Sequence, residues 1–174
     1  IPFNDLNALK NTIDETTAAI MIETVQGEGG VRPVKLKLLD EIKKICDQYK
    51  TLLFLDEVQC GFDRSGKLFS YEWSNIEPDV MAIAKGIGSG FPLGACLATN
   101  KASIGMTKGT HGSTYGGNPL AVSVGKAVIT EIMTDGFLQR VKNKAKYLWK
   151  KLKKLESKFE EIIEVRGVGL LLGM

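Results

Sequence analysis

The sequence predicts an α/β fold with a mostly parallel sheet and one antiparallel strand. Short runs that are apolar on both faces recur through the first half, separated by helical or loop segments, as buried parallel strands do. Three of these runs stop at an ionisable residue: Glu23, Asp56 and Lys85. The second half is dominated by apolar residues at helical spacing.

The elements follow in order. Ala18 to Ile22 reads as a first strand ending at Glu23. Leu36 to Tyr49 reads as a helix, with Leu39, Ile42, Cys46 and Tyr49 at helical spacing. Leu52 to Leu55 and Val80 to Ala84 read as the next two strands, stopping at Asp56 and Lys85. Gly86, Gly88, Ser89, Gly90 and Pro92 then make a short loop before a strand at Ala95 to Ala98. A parallel crossover needs a dozen or more residues, so this strand is predicted antiparallel. Pro119 sits near the start of a helix running to about Thr134, where proline is tolerated. Leu138, Val141, Ala145, Leu148, Leu152, Leu155 and Phe159 mark a long amphipathic helix. A last strand pair is predicted at Ile162 to Val165 and Leu170 to Leu172, separated by Gly167 and Gly169.

Composition narrows the class. The chain has 174 residues, 44% hydrophobic and 25% charged, enough to build a core. A net charge of +3 is too small to imply nucleic acid. The lysines from Lys142 to Lys154 lie between apolar heptad positions and read as a solvated face. Cys46, Cys60 and Cys96 lack metal-ligand spacing and read as reduced thiols of a cytoplasmic protein, with no metal expected. No apolar run reaches the ~20 residues of a membrane span, and no signal peptide opens the chain. Ile1 and Met174 do not read as natural termini, so a fragment is expected.

Ligands of open α/β sheets bind beyond the carboxyl ends of the strands. A lysine there, partly removed from water, loses some preference for its charged form and becomes a better nucleophile for a carbonyl. Lys85 occupies such a place, and its glycine-rich loop would let the backbone approach a ligand; a solvated strand-end lysine is the plainer alternative. Asp56 can hold a cationic ring nitrogen, Gln59 can donate to a phenolic oxygen, and Val58 can pack on a flat ring. Asp56 could equally cap a helix or bind magnesium. The hydroxyls in His111-Gly112-Ser113-Thr114-Tyr115-Gly116-Gly117-Asn118-Pro119 suit a phosphate or carboxylate, or form a plain turn before a helix. Glu28, among glycines in Gln26-Gly27-Glu28-Gly29-Gly30, could pair with a substrate ammonium or an arginine, or mark a surface turn.

These segments, in this order, resemble class III (subgroup II) aminotransferases. Glu23-Thr24-Val25-Gln26-Gly27-Glu28-Gly29-Gly30, Asp56-Glu57-Val58-Gln59, Ala84-Lys85-Gly86 and His111 to Ala121 each look like one of that family's signatures. The resemblance implies the large domain of fold-type I, in part. Residues 1–160 would be the C-terminal half of the cofactor-binding large domain, and 161–174 the start of the small C-terminal domain. It implies pyridoxal 5'-phosphate as cofactor, with Lys85 as its covalent attachment and proton shuttle. Asp56, Glu57, Val58, Gln59 and Thr114 would bind the cofactor, Thr114 across a homodimer interface. Glu28 and Ser113 would lie near substrate. The implied partners are an amino donor and 2-oxoglutarate. Met106-Thr107, Gly109 to Gly112 and Val165 to Gly173 point to family members acting on N-acetylornithine. Ornithine, succinylornithine and 4-aminobutyrate remain alternatives, as does a catalytically silent fragment. Thr24 and Asp63 stand where the family commonly has proline and glycine, which bears on local loop shape. The family's N-terminal phosphate loop, ring-stacking aromatic and carboxylate-binding arginines have no match here.

Overall fold

Four strands carry the expected sheet in a computed structural model that describes residues 1–174. They are β1 (Ala19–Glu23), β4 (Leu52–Asp56), β5 (Val80–Ile83) and β6 (Ala95–Ala98), adjacent in that order. The pairs β1–β4 and β4–β5 are parallel, whereas β5–β6 is antiparallel, as the short loop between them requires. Two further strands, β2 (Val25–Gln26) and β3 (Arg32–Pro33), form a small antiparallel pair that hydrophobic pattern did not predict. Two-residue strands carry too little alternation to be seen.

One face of the sheet builds the core. Leu53 and Leu55 share it with Met81 and Ile83, and all four are buried. They pack in one cluster with Leu39, Ile42, Ile45 and Cys46 of the helix α2 (Leu36–Tyr49). The opposite-face residues Phe54, Asp56, Val80 and Ala82 are only half-buried. Every residue of β6 is exposed, and Met21 on the other edge strand is 60% exposed. The sheet therefore has one finished face and two open edges.

A first helix, α1 (Leu6–Thr12), also escaped prediction. It is capped by Asp5, whose carboxylate accepts from the Ala8 amide at 2.9 Å. The predicted helix at Pro119 is α3 (Pro119–Ile132), capped by Asn118. The long helix is α4 (Phe137–Glu156), with left-handed Gly136 marking the break between the two. Only Ala145 of α4 is fully buried, and Leu148 and Leu155 are about 40% exposed. Lys144, Lys146, Lys150, Lys151, Lys153 and Lys154 are exposed, as a solvated face requires. No helix is long and apolar enough to cross a membrane.

The last strand pair differs from expectation. It joins β7 (Arg166–Val168) to β8 (Leu171–Gly173), and residues 162–165 form no strand. The Ile162 amide is taken up by the Phe159 carbonyl, and that of Val165 by the Glu156 carboxylate at 2.8 Å. Gly167, expected between the strands, lies inside β7, where its Cβ would strike Leu171 backbone.

Candidate active site

The three ionisable strand ends come out side by side. Glu23 is in register with Asp56, and Asp56 with Ala82, three residues before Lys85. Strand β5 stops at Ile83, and Lys85 then adopts a left-handed backbone at φ 45°. A non-glycine residue in that region costs about 1–2 kcal/mol, so the chain is forced out of the strand at this residue. A short helical turn, Lys85–Gly88, follows. Gly86 is required for a reason other than ligand approach: a Cβ there would lie 2.6 Å from the Cβ of Phe62.

Backbone neighbours do not share a cleft here. Asp56, Glu23 and Gln26 line a depression of about 540 Å³ beside β1. Lys85 lines a more open cleft of about 1020 Å³ together with Phe62, Arg64, Ser89 and Ile132. Lys85 is exposed and its ammonium holds no hydrogen bond or ion pair, so its four-carbon stem is free to swing.

The turn at the tip of β4 is firmly tied. One oxygen of Asp56 accepts from the Val58 amide at 2.9 Å, and its other oxygen has no partner. The Gly61 amide closes onto the Glu57 carbonyl at 3.0 Å. Gln59 is half-buried, and its amide oxygen sits where a Cβ on Gly27 would lie, 1.7 Å away. Glycine at 27 is what lets the two segments meet.

Glu57 departs from its expected place. It is 0% exposed, and both carboxylate oxygens are committed inside the chain. They accept from the Ser70 and Tyr71 amides at 2.9 Å each and from the Thr24 hydroxyl and Cys60 thiol at 3.3 Å each. Burial pushes the Glu57 carboxyl up, and the Ser70 and Tyr71 amides pull it back. Burial, with Glu57 beside it, pushes the Cys60 thiol up to about 12, so it stays a protonated donor. Thr24 is therefore more than a change of loop shape: its hydroxyl lies 3.2 Å from Cys60 sulfur.

Glu28 lies exposed at the tip of the turn between β2 and β3. The turn is fixed at both ends. The Gly27 amide donates to the Glu23 carboxylate at 2.9 Å, which occupies Glu23. From the far end of the chain, the Arg166 guanidinium donates to the Gly30 carbonyl. Sequence reasoning missed Arg166, and no local signal could reveal a contact across 136 positions.

Residues 104–117 are all exposed and contain His111, Ser113 and Thr114. Their hydrogen bonds are local: the Ser113 hydroxyl accepts from the Gly116 amide, and Thr110 donates to Thr107. Ser113 and Thr114 do not join Asp56 or Lys85 within this chain. No cluster of side chains able to hold a metal ion is present.

The family signature of class III aminotransferases matches residues 2–174. The chain belongs to that family. An acetylornithine aminotransferase of Mesorhizobium japonicum is 53% identical over 175 residues, covering 100% of this chain and 44% of that protein. One from Agrobacterium fabrum is 51% identical with the same coverage. Among solved structures, N-acetylornithine aminotransferase from Stenotrophomonas maltophilia matches with a TM-score of 0.88 and 36% identity, covering 99% of this chain and 45% of that one. An ornithine aminotransferase from Toxoplasma gondii, described with partial occupancy of pyridoxal phosphate at its active site, matches with a TM-score of 0.93 at 32% identity, covering 98% and 41%. The chain thus spans less than half the length of these relatives. The match to solved aminotransferases also shows the expected fold-type I architecture.

Class III aminotransferases depend on pyridoxal phosphate. The residue types present suit its ring end, although Asp56 and Lys85 line different clefts and would meet one ring only if the lysine stem swung over. Asp56 offers an unpartnered carboxylate oxygen at one strand tip, and Lys85 an unpaired amine at the next. Nothing within this chain gathers around a phosphate.

Proposed function

We propose that the complete protein carrying this chain moves the terminal amine of N-acetylornithine to 2-oxoglutarate, a step of arginine biosynthesis. The observation that carries this reading is the pair of adjacent strand tips bearing Asp56 and Lys85, the second on a strained backbone. The left-handed backbone turns Lys85 out of the strand at the carboxyl end of the sheet, where ligands of such sheets bind. The names of the sequence relatives support N-acetylornithine, and the similar solved structures include an ornithine aminotransferase, which keeps ornithine as the alternative donor.

Pyridoxal phosphate, when bound, supplies an electron sink for the bond broken at the substrate carbon. The chain's residues do the rest. Lys85 would hold the cofactor covalently, and its amine, once released, would take the proton from the substrate carbon and deliver it to the cofactor carbon that the lysine had occupied. Asp56 keeps the ring nitrogen protonated through its free oxygen. Gln59 would donate to the phenolic oxygen, and Val58 would pack against the ring. Thr114 reaches the phosphate held by a second copy in a cytoplasmic homodimer, with Ser113 near the substrate there. Glu28 pairs with a carboxylate-binding arginine and releases it for the second substrate. We assign residues 1–160 to the large domain and 161–174 to the start of the small domain. With less than half the length of its relatives, this stretch alone is expected to be inactive.

The test uses the complete protein with and without Lys85→Ala. Borohydride trapping with pyridoxal phosphate should place the adduct on the Lys85 peptide, and the variant should lose both adduct and transamination. Undiminished turnover by Lys85→Ala would refute the assignment. Comparing N-acetylornithine, ornithine and 4-aminobutyrate as donors decides the substrate.

A further inference from the structure

We propose that Glu57 is the positioning residue of the site: its buried carboxylate clamps the tip of β4 between the corner after β1 and the turn at residues 69–71, and so aims Asp56 and Gln59. This rests on the aminotransferase reading, and it replaces direct cofactor contact as the role of Glu57.

The carboxylate draws on three separate stretches of chain. Thr24 lies 33 positions before it, Cys60 three after, and Ser70 and Tyr71 at 13 and 14 after. Two successive backbone amides converge on its two oxygens, both at 2.9 Å, as they do around a bound anion. Those amides open the short helical turn Ser70–Trp73. A buried carboxylate is an expensive way to join loops, because it stays buried only with its partners in place. An apolar side chain would fill the same space without fixing direction. Direction is what this place needs. Asp56 is the preceding residue, and the Glu57 amide continues the sheet onto the Ala82 carbonyl at 2.9 Å. The Glu57 carbonyl receives Gly61, closing the turn that holds Val58 and Gln59. With the side chain, amide and carbonyl of Glu57 all committed, Asp56 and Gln59 have little freedom on either side.

Glu57→Gln tests this in the complete protein. The substitution keeps volume but sets an N–H group against at least one backbone N–H. Expected is a weakening of pyridoxal phosphate affinity by about tenfold or more. A control, Ile45→Ala, opens the core on α2 and removes none of the hydrogen bonds to Glu57. It should lower the thermal midpoint while leaving affinity within about twofold, because its cost is a cavity in the core and not a lost bond at the turn. Unchanged affinity in Glu57→Gln, or equal weakening in both variants, overturns the proposal. If Glu57→Gln does not fold, Thr24→Val removes one of the four bonds and should weaken affinity several-fold; unchanged affinity there counts against the clamp. If the wild-type protein takes up no cofactor, the aminotransferase reading falls separately. Hydrogen exchange at the Val58, Ser70 and Tyr71 amides then judges the clamp. Lost protection in the variant supports it, and retained protection overturns it.

Discussion

Two regions that the site needs are built in opposite ways. The tip of β4, from Asp56 to Gly61, is tied through Asp56, Glu57, Cys60 and Gly61, with Glu57 and Cys60 fully buried beneath it. Residues 104–117 are exposed throughout, and their hydrogen bonds are short-range, to one another and to Ser103 and Asn118 beside them. The first region is held by contacts within this chain; the second packs against none of it. Lys85 stands between them, fixed in backbone and free in side chain. On the proposed reading, the ring end of the cofactor falls to the tied region and to Lys85, and Thr114 in the exposed region serves the phosphate held by a second copy.

The comparison can be broken or sharpened by mutation. The largest contrast is expected at Thr114. In the complete protein, Thr114→Ala should weaken cofactor affinity by roughly tenfold, the worth of a hydrogen bond to a charged group. The thermal midpoint of the present chain should not move, because surface substitutions stay within about 0.5 kcal/mol. A stability loss in the chain itself would show that residues 104–117 are part of its core after all.

A smaller effect is expected at the tied region. In Gly27→Ala the new Cβ displaces the Gln59 amide, the far end of a flexible side chain. Folding should therefore survive, and cofactor affinity should fall by the worth of one neutral hydrogen bond, about 1 kcal/mol. Unaltered affinity would remove Gln59 from the site.

The smallest concerns Asp63. It is 5% exposed, its backbone is left-handed at φ 72°, and neither carboxylate oxygen has a hydrogen-bond partner. Burial pushes its carboxyl up to about 6 from 3.8, against the pull of nearby Lys142. The folded chain then binds more protons than the unfolded chain between those values, so stability falls as pH rises through that window and stays lower above it. Asp63→Gly should remove this pH dependence and relieve the backbone, raising stability by about 1 kcal/mol at pH 7. Equilibrium unfolding at pH 4 and pH 7 reads both effects; a variant less stable than wild type at pH 7 would contradict this.

What could be read from the sequence was local. The helix α2 was legible at both ends because Leu39, Ile42 and Cys46 recur at helical spacing. The antiparallel β6 followed from the length of one loop. Asp56 and Lys85 were found as strand ends, and their adjacency followed once the strands were parallel neighbours. The rest depended on contacts between distant segments. Nothing near Glu57 says that its side chain turns inward toward Ser70 and Tyr71, and nothing near Arg166 says that it reaches Gly30. The left-handed turn at Lys85 was invisible for another reason: backbone strain is held by the surrounding fold, and the residue itself carries no mark of it.

A cofactor-loaded structure of the complete protein tests the central claim most directly. The account predicts one ring joined to Lys85 with its nitrogen within hydrogen-bond distance of Asp56, the lysine stem having swung out of its present cleft. A ring bound beside Phe62 and Arg64, with Asp56 still turned into the depression near Glu23, would contradict it.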